Sequence, residues 1–252
     1  MNNELRDNIK LVLEFYKELG FDSLPIEING LGLQDITQKG SGNRDNTTVS
    51  NKVSSKIDKI TALKALREEI GDCKRCRLSK ERNHIVFGEG DPDARIMFIG
   101  EGPGREEDIQ GRPFVGEAGQ VLTRLIEKMG FKRTDVYIAN IVKCRPPMNR
   151  DPLGDEISTC LPFLKKQIAI IHPEVITCLG KISTHTLLNI KEPVNKFSIA
   201  KFRGRFYEYI DGDMVIPLMP TFHPAYLLRN PRDKWLTWED AQAVLKMLEM
   251  KG

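Results

Sequence analysis

The 252-residue chain has no long apolar run: stretches such as Ala169-Ile170-Ile171 and Val175-Ile176 end after a few residues. A bilayer-spanning helix needs about 20 apolar residues, so no segment reads as a membrane span and no membrane partner is expected. Charge of one sign is also scarce. The 38 Lys and Arg against 35 Asp and Glu leave a net +3, too little for a generally adhesive polycation. Nucleic-acid binding would have to come from local patches. The N-terminus has neither the basic start nor the apolar run and small-residue cleavage site of a secretory signal, so a cytoplasmic location is expected. Five cysteines are too few for a disulfide framework in such a chain, and point to metal binding, catalysis or burial. What remains, 40% hydrophobic and 29% charged residues, fits a globular protein.

From Glu4 to Leu19 the apolar residues Leu5, Ile9, Leu11, Val12, Phe15, Tyr16 and Leu19 recur at helical spacing, and Gly20 supplies a stop. An amphipathic helical segment is therefore expected within 1–29. Residues 30–56, with Gln38-Lys39-Gly40-Ser41-Gly42-Asn43, read as a flexible linker. This N-terminal part carries seven basic and eight acidic side chains and is not a basic arm. Over 57–252, strand patterns at 93–100, 136–141, 175–179 and 215–219 alternate with helical patterns at 57–70, 118–129, 155–171 and 183–188. That alternation implies an α/β fold, a parallel sheet covered on both faces, with ligands bound beyond the carboxyl ends of its strands.

Cys73 and Cys76 form a CxxC pair, Cys144 follows the second strand pattern and Cys160 lies in the next helix. Four thiolates meeting at one centre would suit zinc or an iron–sulfur cluster, and the spacing alone leaves both open, beside a CxxC redox pair with the other two incidental. Cys178 sits in a core strand and is read as an inert buried thiol.

The first strand ends in Gly100-Glu101-Gly102-Pro103-Gly104-Arg105-Glu106-Glu107-Asp108, followed by Gly111-Arg112-Pro113-Phe114-Val115-Gly116. Glycines permit close ligand approach, the acidic run offers bases or water-orienting groups, and Phe114 a stacking surface or a core contact. The Gly-Lys-Ser/Thr ending of a P-loop is absent. Asn140 ends the second strand, among hydrophobic residues, with an amide that donates and accepts together, as reading a base edge requires. His223 follows the fourth strand in a proline-bounded loop with Leu227, Leu228 and Arg229.

This set resembles the uracil-DNA glycosylase superfamily, most closely its family 4, the iron–sulfur enzymes, over roughly 57–252. The matching pieces are the four cysteines, Gly100–Asp108, Gly111–Gly116, Ala139–Cys144 and His223–Arg229. The resemblance implies a three-layer α/β/α fold around a four-stranded parallel sheet, preceded by the N-terminal helical extension. It also implies a [4Fe–4S] cluster on Cys73, Cys76, Cys144 and Cys160. Gly102 and Gly104 stand where family 1 carries a catalytic aspartate and a thymine-excluding tyrosine. Asn140 favours family 4 over family 5. The loop after the second strand, Arg145-Pro146-Pro147-Met148-Asn149-Arg150, lacks the histidine of the covalently trapping branch, so turnover is expected.

The implied reaction is hydrolysis of the N-glycosidic bond of flipped-out deoxyuridine in DNA, initiating base excision repair by a monomer. Phe114 would stack on the base, Gly102 would lie against it, Asn140 would read its pairing edge and His223 would bond its O2. Glu101 or Glu107 would position water or stabilise the sugar cation, with Glu107 the better placed to crowd out thymine. Leu227, Leu228 and Arg229 would fill the vacated stack, and Arg105 would grip phosphate. A glycosylase for several deaminated bases and a non-catalytic nucleic-acid-binding module are the other two readings. The N-terminal helix is a possible dock for a replication or repair protein.

Overall fold

The structure, a computed structural model, describes residues 46–251, with side chains over 58–250. The expected helix at 4–19 and the linker up to residue 45 lie outside the described residues. The last part of that linker, 46–56, is helical instead, as the start of α1 (Asn46–Ile70). The chain divides after Ser54, and 55–252 is described here as a unit by itself.

After α1 come β1 (Glu89–Gly90), β2 (Ile96–Gly100), α2 (Arg105–Gln110), α3 (Glu117–Lys128), β3 (Tyr137–Asn140), α4 (Gly154–Ile171) and β4 (Val175–Leu179). Then follow α5 (Lys181–Leu187), α6 (Ile199–Phe202), β5 (Tyr207–Asp211), β6 (Met214–Thr221), α7 (Pro224–Arg229) and α8 (Lys234–Lys251). The strands form one sheet in the order β1-β3-β2-β4-β6-β5. The four central strands are parallel, as expected. The sheet is nonetheless six-stranded, because β1 and β5 add antiparallel edges that the sequence reading did not contain.

Side chains alternate across each strand, so a parallel strand buried on both faces feeds two cores. In β2, Met97 and Ile99 pack with Leu164, Ile168 and Ile171 of α4. Ile96 and Phe98 pack on the other face with Leu122 and Ile126 of α3 and with Ala241, Val244 and Leu248 of α8. These are the three layers. Cys178 is fully buried in the first core, as its place in a core strand led one to expect.

The parallel strands all end at one edge. Gly100 of β2 is in register with Asn140 of β3, and the ladder runs on through Ile141 N–H to Gly100 O (3.0 Å) and Val142 N–H to Glu101 O (3.1 Å). On the other side, Gly180 N–H donates to Thr221 O (2.9 Å), just before His223. Four segments distant in sequence therefore turn away from the sheet beside one another.

Candidate active site

The turns enclose a cleft of about 640 Å³. Glu101, Gly102, Glu107, Phe114, Asn140, His223 and Arg229 all line it, together with Asn149, Arg150, Gly180 and Tyr226.

Asn140 is almost wholly buried at the end of β3, and its Oδ1 has no hydrogen-bond partner among the described residues. A buried acceptor left unmade costs about 1–3 kcal/mol, so this one is a standing demand for a donor. Space for its amide comes from Gly100. A Cβ there would lie 2.5 Å from Asn140 Oδ1 and 2.5 Å from Phe114 Cζ. The Asn140 main chain is held from behind: Lys143 Nζ donates to its carbonyl oxygen (2.9 Å) and to Gln167 Oε1 (2.6 Å). Gln167 Nε2 in turn donates to Phe87 O (3.0 Å) and Tyr137 OH (3.2 Å). Burial of Lys143 pushes its pKa down to about 8, opposed by Cys160.

Phe114 sits in the left-handed region (φ 49°), a strained conformation for a non-glycine residue, and is buried. Its backbone packs so tightly on Gly119 that a Cβ there would lie 2.0 Å from Phe114 O. The loop is braced from outside by Glu89, which accepts from Arg112 Nε (2.8 Å) and Arg133 Nε (2.9 Å), while Arg133 also reaches the Pro113 carbonyl. The Phe114 ring thus stands as one wall, its centroid 5.7 Å from that of His223.

His223 is the N-cap of α7, and its Nδ1 accepts from Ala225 N–H (3.1 Å). An accepting Nδ1 places the proton on Nε2. Burial pushes the His223 pKa down to about 4; the Glu107 charge opposes this and Arg229 adds to it. At neutral pH the ring is an uncharged Nε2–H donor. Its seat depends on Gly180 (φ +96°), where a Cβ would lie 2.8 Å from that of His223.

The two glutamates separate clearly. Glu107, expected as an alternative water-positioning group, has its Oε1 accepting from Val115 N–H (2.8 Å) and Gly116 N–H (2.9 Å) and its Oε2 from Gly104 N–H (3.1 Å). It is a staple between the two glycine-rich segments. The Glu101 carboxylate has no hydrogen-bond partner among the described residues, and burial, with Asp151 nearby, pushes its pKa up to about 7 against the pull of Lys181. The uncommitted carboxylate of the cleft is therefore Glu101. Gly102 is also committed by space, since a Cβ there would meet Val142 Cγ2 at 2.7 Å.

The expected wedge divides too. Leu227 is 3% exposed and packs with Val121 and Phe222, so it is core and not free to enter DNA. Its neighbour Leu228 is 39% exposed. Successive helix positions point about 100° apart, and only one of the two leucines can face the cleft's rim. Arg105 is exposed at the start of α2, at the same edge of the sheet. Gly100 and Arg150 fall in segments singled out from the sequence, without a site role, and Gly180 falls in none. The glycines needed knowledge of which side chains crowd them, whereas Arg150 is fixed by two bonds to the buried Glu156 (2.8 and 2.6 Å).

Cys73, Cys76, Cys144 and Cys160 line one small cavity with Arg82 and Lys143. Arg82 Nη1 donates to Cys144 Sγ (3.5 Å) and Lys143 N–H to Cys160 Sγ (3.3 Å). Burial raises the thiol of Cys144 to about 12, and that of Cys160 upward too, so both are protonated until a positive centre displaces the proton. Among the described residues no three His, Cys, Asp or Glu side chains are arranged to hold a single metal ion. Four thiols around one cavity, with donors already aimed at two sulfurs, fit a larger thiolate-bound group.

The chain is similar to known proteins. The family model described as "Uracil DNA glycosylase superfamily" matches residues 87–246. A type-4 uracil-DNA glycosylase of Saccharolobus solfataricus is 47% identical over 190 residues, covering 75% of this chain and 88% of the relative. A type-4 uracil-DNA glycosylase of Thermotoga maritima is 44% identical over 192 residues, covering 75% and 96%. A type-5 uracil-DNA glycosylase of Thermus thermophilus is 33% identical over 143 residues, covering 50% and 64%.

Proposed function

Because the chain belongs to the uracil-DNA glycosylase superfamily, we propose that it hydrolyses the bond between uracil N1 and the sugar C1′ in DNA, the first step of base excision repair. The orphaned Asn140 Oδ1 in the cleft is the observation that carries this reading. Uracil flipped out of the stack offers it the N3–H it lacks, while the amide NH₂ donates to O4. Cytosine presents the reverse pattern at both places, an acceptor at N3 and a donor at C4, and leaves the acceptor unpaired.

Bond cleavage sends the electron pair to the base and leaves positive charge on the sugar. Phe114 stacks on the departing ring, and neutral His223 aims Nε2–H at O2, where negative charge develops. A donor placed there without reorganisation lowers the barrier by several kcal/mol. Glu101, in its ionised form, faces the sugar cation and accepts the proton of the water that attacks C1′, giving free uracil and an abasic site. Glu107 acts one step back, by fixing the loops that carry Gly104 and Phe114. Leu228 and Arg229 meet the DNA, and Arg105 a phosphate.

Cys73, Cys76, Cys144 and Cys160 would hold a [4Fe–4S] cluster, which supplies four iron–thiolate bonds that cross-link the segment after α1, the segment after β3 and α4. Asn140 and Cys144 lie on the two sides of the buried Lys143, so this cross-link stiffens the strand end that presents the amide. The protein works as a cytoplasmic monomer on uracil-containing DNA. The catalytic domain is 57–252.

The test is release of uracil from an oligonucleotide containing one deoxyuridine. Asn140→Ala and His223→Ala should each lower the single-turnover rate by about 10²–10³-fold with DNA binding retained. Release of hypoxanthine or xanthine at a similar rate would instead favour the broad deaminated-base enzyme. DNA binding without any base release would leave only the binding module.

A further inference from the structure

The loop after β3 carries an unusual residue. Met148 is 95% exposed, and both it (φ 54°) and Asn149 (φ 56°) occupy the left-handed region that non-glycine residues avoid. Among the described residues no other large apolar side chain is as exposed, and paired backbone strain persists only where the surroundings impose it. Here they do. Arg145 Nε donates to Asn149 Oδ1 (2.7 Å), Asn149 N–H to Pro146 O (3.0 Å) and Arg150 N–H to Pro147 O (3.2 Å). Arg150 is then clamped on the buried Glu156. Two prolines precede the tip. The result is a stiff loop whose side chain at 148 stands free in solvent.

Its location gives that display a use. Pro146, Asn149 and Arg150 line the cleft, while Met148 does not, so the methionine stands on the outer side of the wall that these residues build. A second exposed apolar side chain is Leu228, on α7, whose neighbours Ala225, Tyr226 and Arg229 line a different stretch of the wall. Exposed Arg105 and Arg229 lie by the same cleft. An apolar tip on a rigid loop among cations matches an opened base step flanked by phosphates. Methionine suits it: unbranched and polarizable, it adapts to an irregular apolar surface.

We propose that Met148 is a second DNA wedge, pressing on the base stack beside the flipped nucleotide from the 146–150 wall while Leu228 enters from α7. This rests on the glycosylase reading for its substrate but not for its measurement. The two wedges share the work of keeping a duplex open at the lesion, work that single-stranded DNA does not require.

Two measurements on the full, iron-loaded chain test this. In the first, uracil release is compared on a U:A duplex and on the same strand alone. Met148→Ala should lower kcat/KM on the duplex by about tenfold and leave the single strand within twofold, and Met148→Leu should restore the duplex rate. The single-strand rate also shows that the variant is folded. Equal duplex rates for wild type and Met148→Ala would overturn the proposal, and so would an equal loss on both substrates. In the second, 2-aminopurine placed next to the uracil reports unstacking when the protein binds, with no catalysis needed. Its fluorescence should rise with the wild type and rise less than half as much with Met148→Ala. Should the wild type release no uracil while the unstacking still depends on Met148, the wedge stands and the glycosylase reading fails. Unstacking that is indifferent to Met148 overturns the wedge whatever the activity.

Discussion

Replacing Gly100 by alanine adds one methyl group behind the wall that Asn140 and Phe114 form. The new Cβ would lie 2.5 Å from Asn140 Oδ1, 2.5 Å from Phe114 Cζ and 2.8 Å from Phe114 Cε2. Ordinary contact begins near 3.4 Å, so amide and ring must together give way by close to an ångström. Neither has an easy retreat. Asn140 is the last residue of a buried strand whose carbonyl is held by Lys143, and Phe114 is pinned at positive φ against Gly119. Misplacing a positioned group by about 1 Å costs on the order of 10²-fold in rate. Overpacking of this kind costs about 1–3 kcal/mol, and at about 2–4 °C per kcal/mol for a domain of this size the melting temperature should fall by several degrees. The assay is single-turnover uracil release at saturating enzyme, with thermal melting and DNA anisotropy alongside. Gly100→Ala should be slower by about 10²-fold with near-normal DNA affinity. A rate within threefold of wild type at an unchanged melting temperature would refute the reasoning, because the wall would then not depend on the space at Gly100.

The glutamates should part in their behaviour. With its pKa raised to about 7, Glu101 becomes the ionised base only as pH passes neutrality, so the wild-type rate should rise through pH 7 and Glu101→Gln should be slow and flat. Its folded pKa lies above the unfolded value of 4.5, so its contribution to stability is full below that value and is lost as pH rises through about 7. Glu101→Gln should therefore gain on the wild type in melts between pH 5 and 8, and a constant difference across that range would contradict the assignment. Glu107→Gln keeps one carbonyl oxygen for three backbone N–H groups, so it should lose about 1–3 kcal/mol of stability in denaturant titration and lose activity through the Phe114 loop. Cys160→Ser should lose iron and visible absorbance along with stability, whereas Cys178→Ala should keep both; full iron retention by Cys160→Ser would remove that residue from the ligand set.

Much of the site was legible because its chemistry is carried by residue types in short segments. An asparagine ending an apolar strand, a histidine in a proline-bounded loop, and a phenylalanine after a glycine-rich turn each stand out locally. The four parallel strands followed from apolar runs of the right length. The edges did not. β1 has two residues, and β5 alternates without a strong apolar face, although Asp211-Gly212 marks its hairpin to β6. α8 was also missed; its weak amphipathic pattern places Ala241, Val244 and Leu248 in the core while the rest of the helix alternates irregularly.

The sequence by itself determined the fold class, the four thiols, and the presence of an amide at one strand end and an imidazole at another, since these rest on which groups exist and on local periodicity. The tertiary structure decided which of them are free to act. Glu107 and Glu101 are the same side chain six residues apart, and the Gly104, Val115 and Gly116 amides meet around the carboxylate of the first and not of the second. Leu227 and Leu228 are identical neighbours, separated only by which face of α7 packs on Val121 and Phe222. Whether a polar atom is satisfied or an apolar one covered depends on neighbours brought from elsewhere in the chain, and that information exists only once the chain has folded.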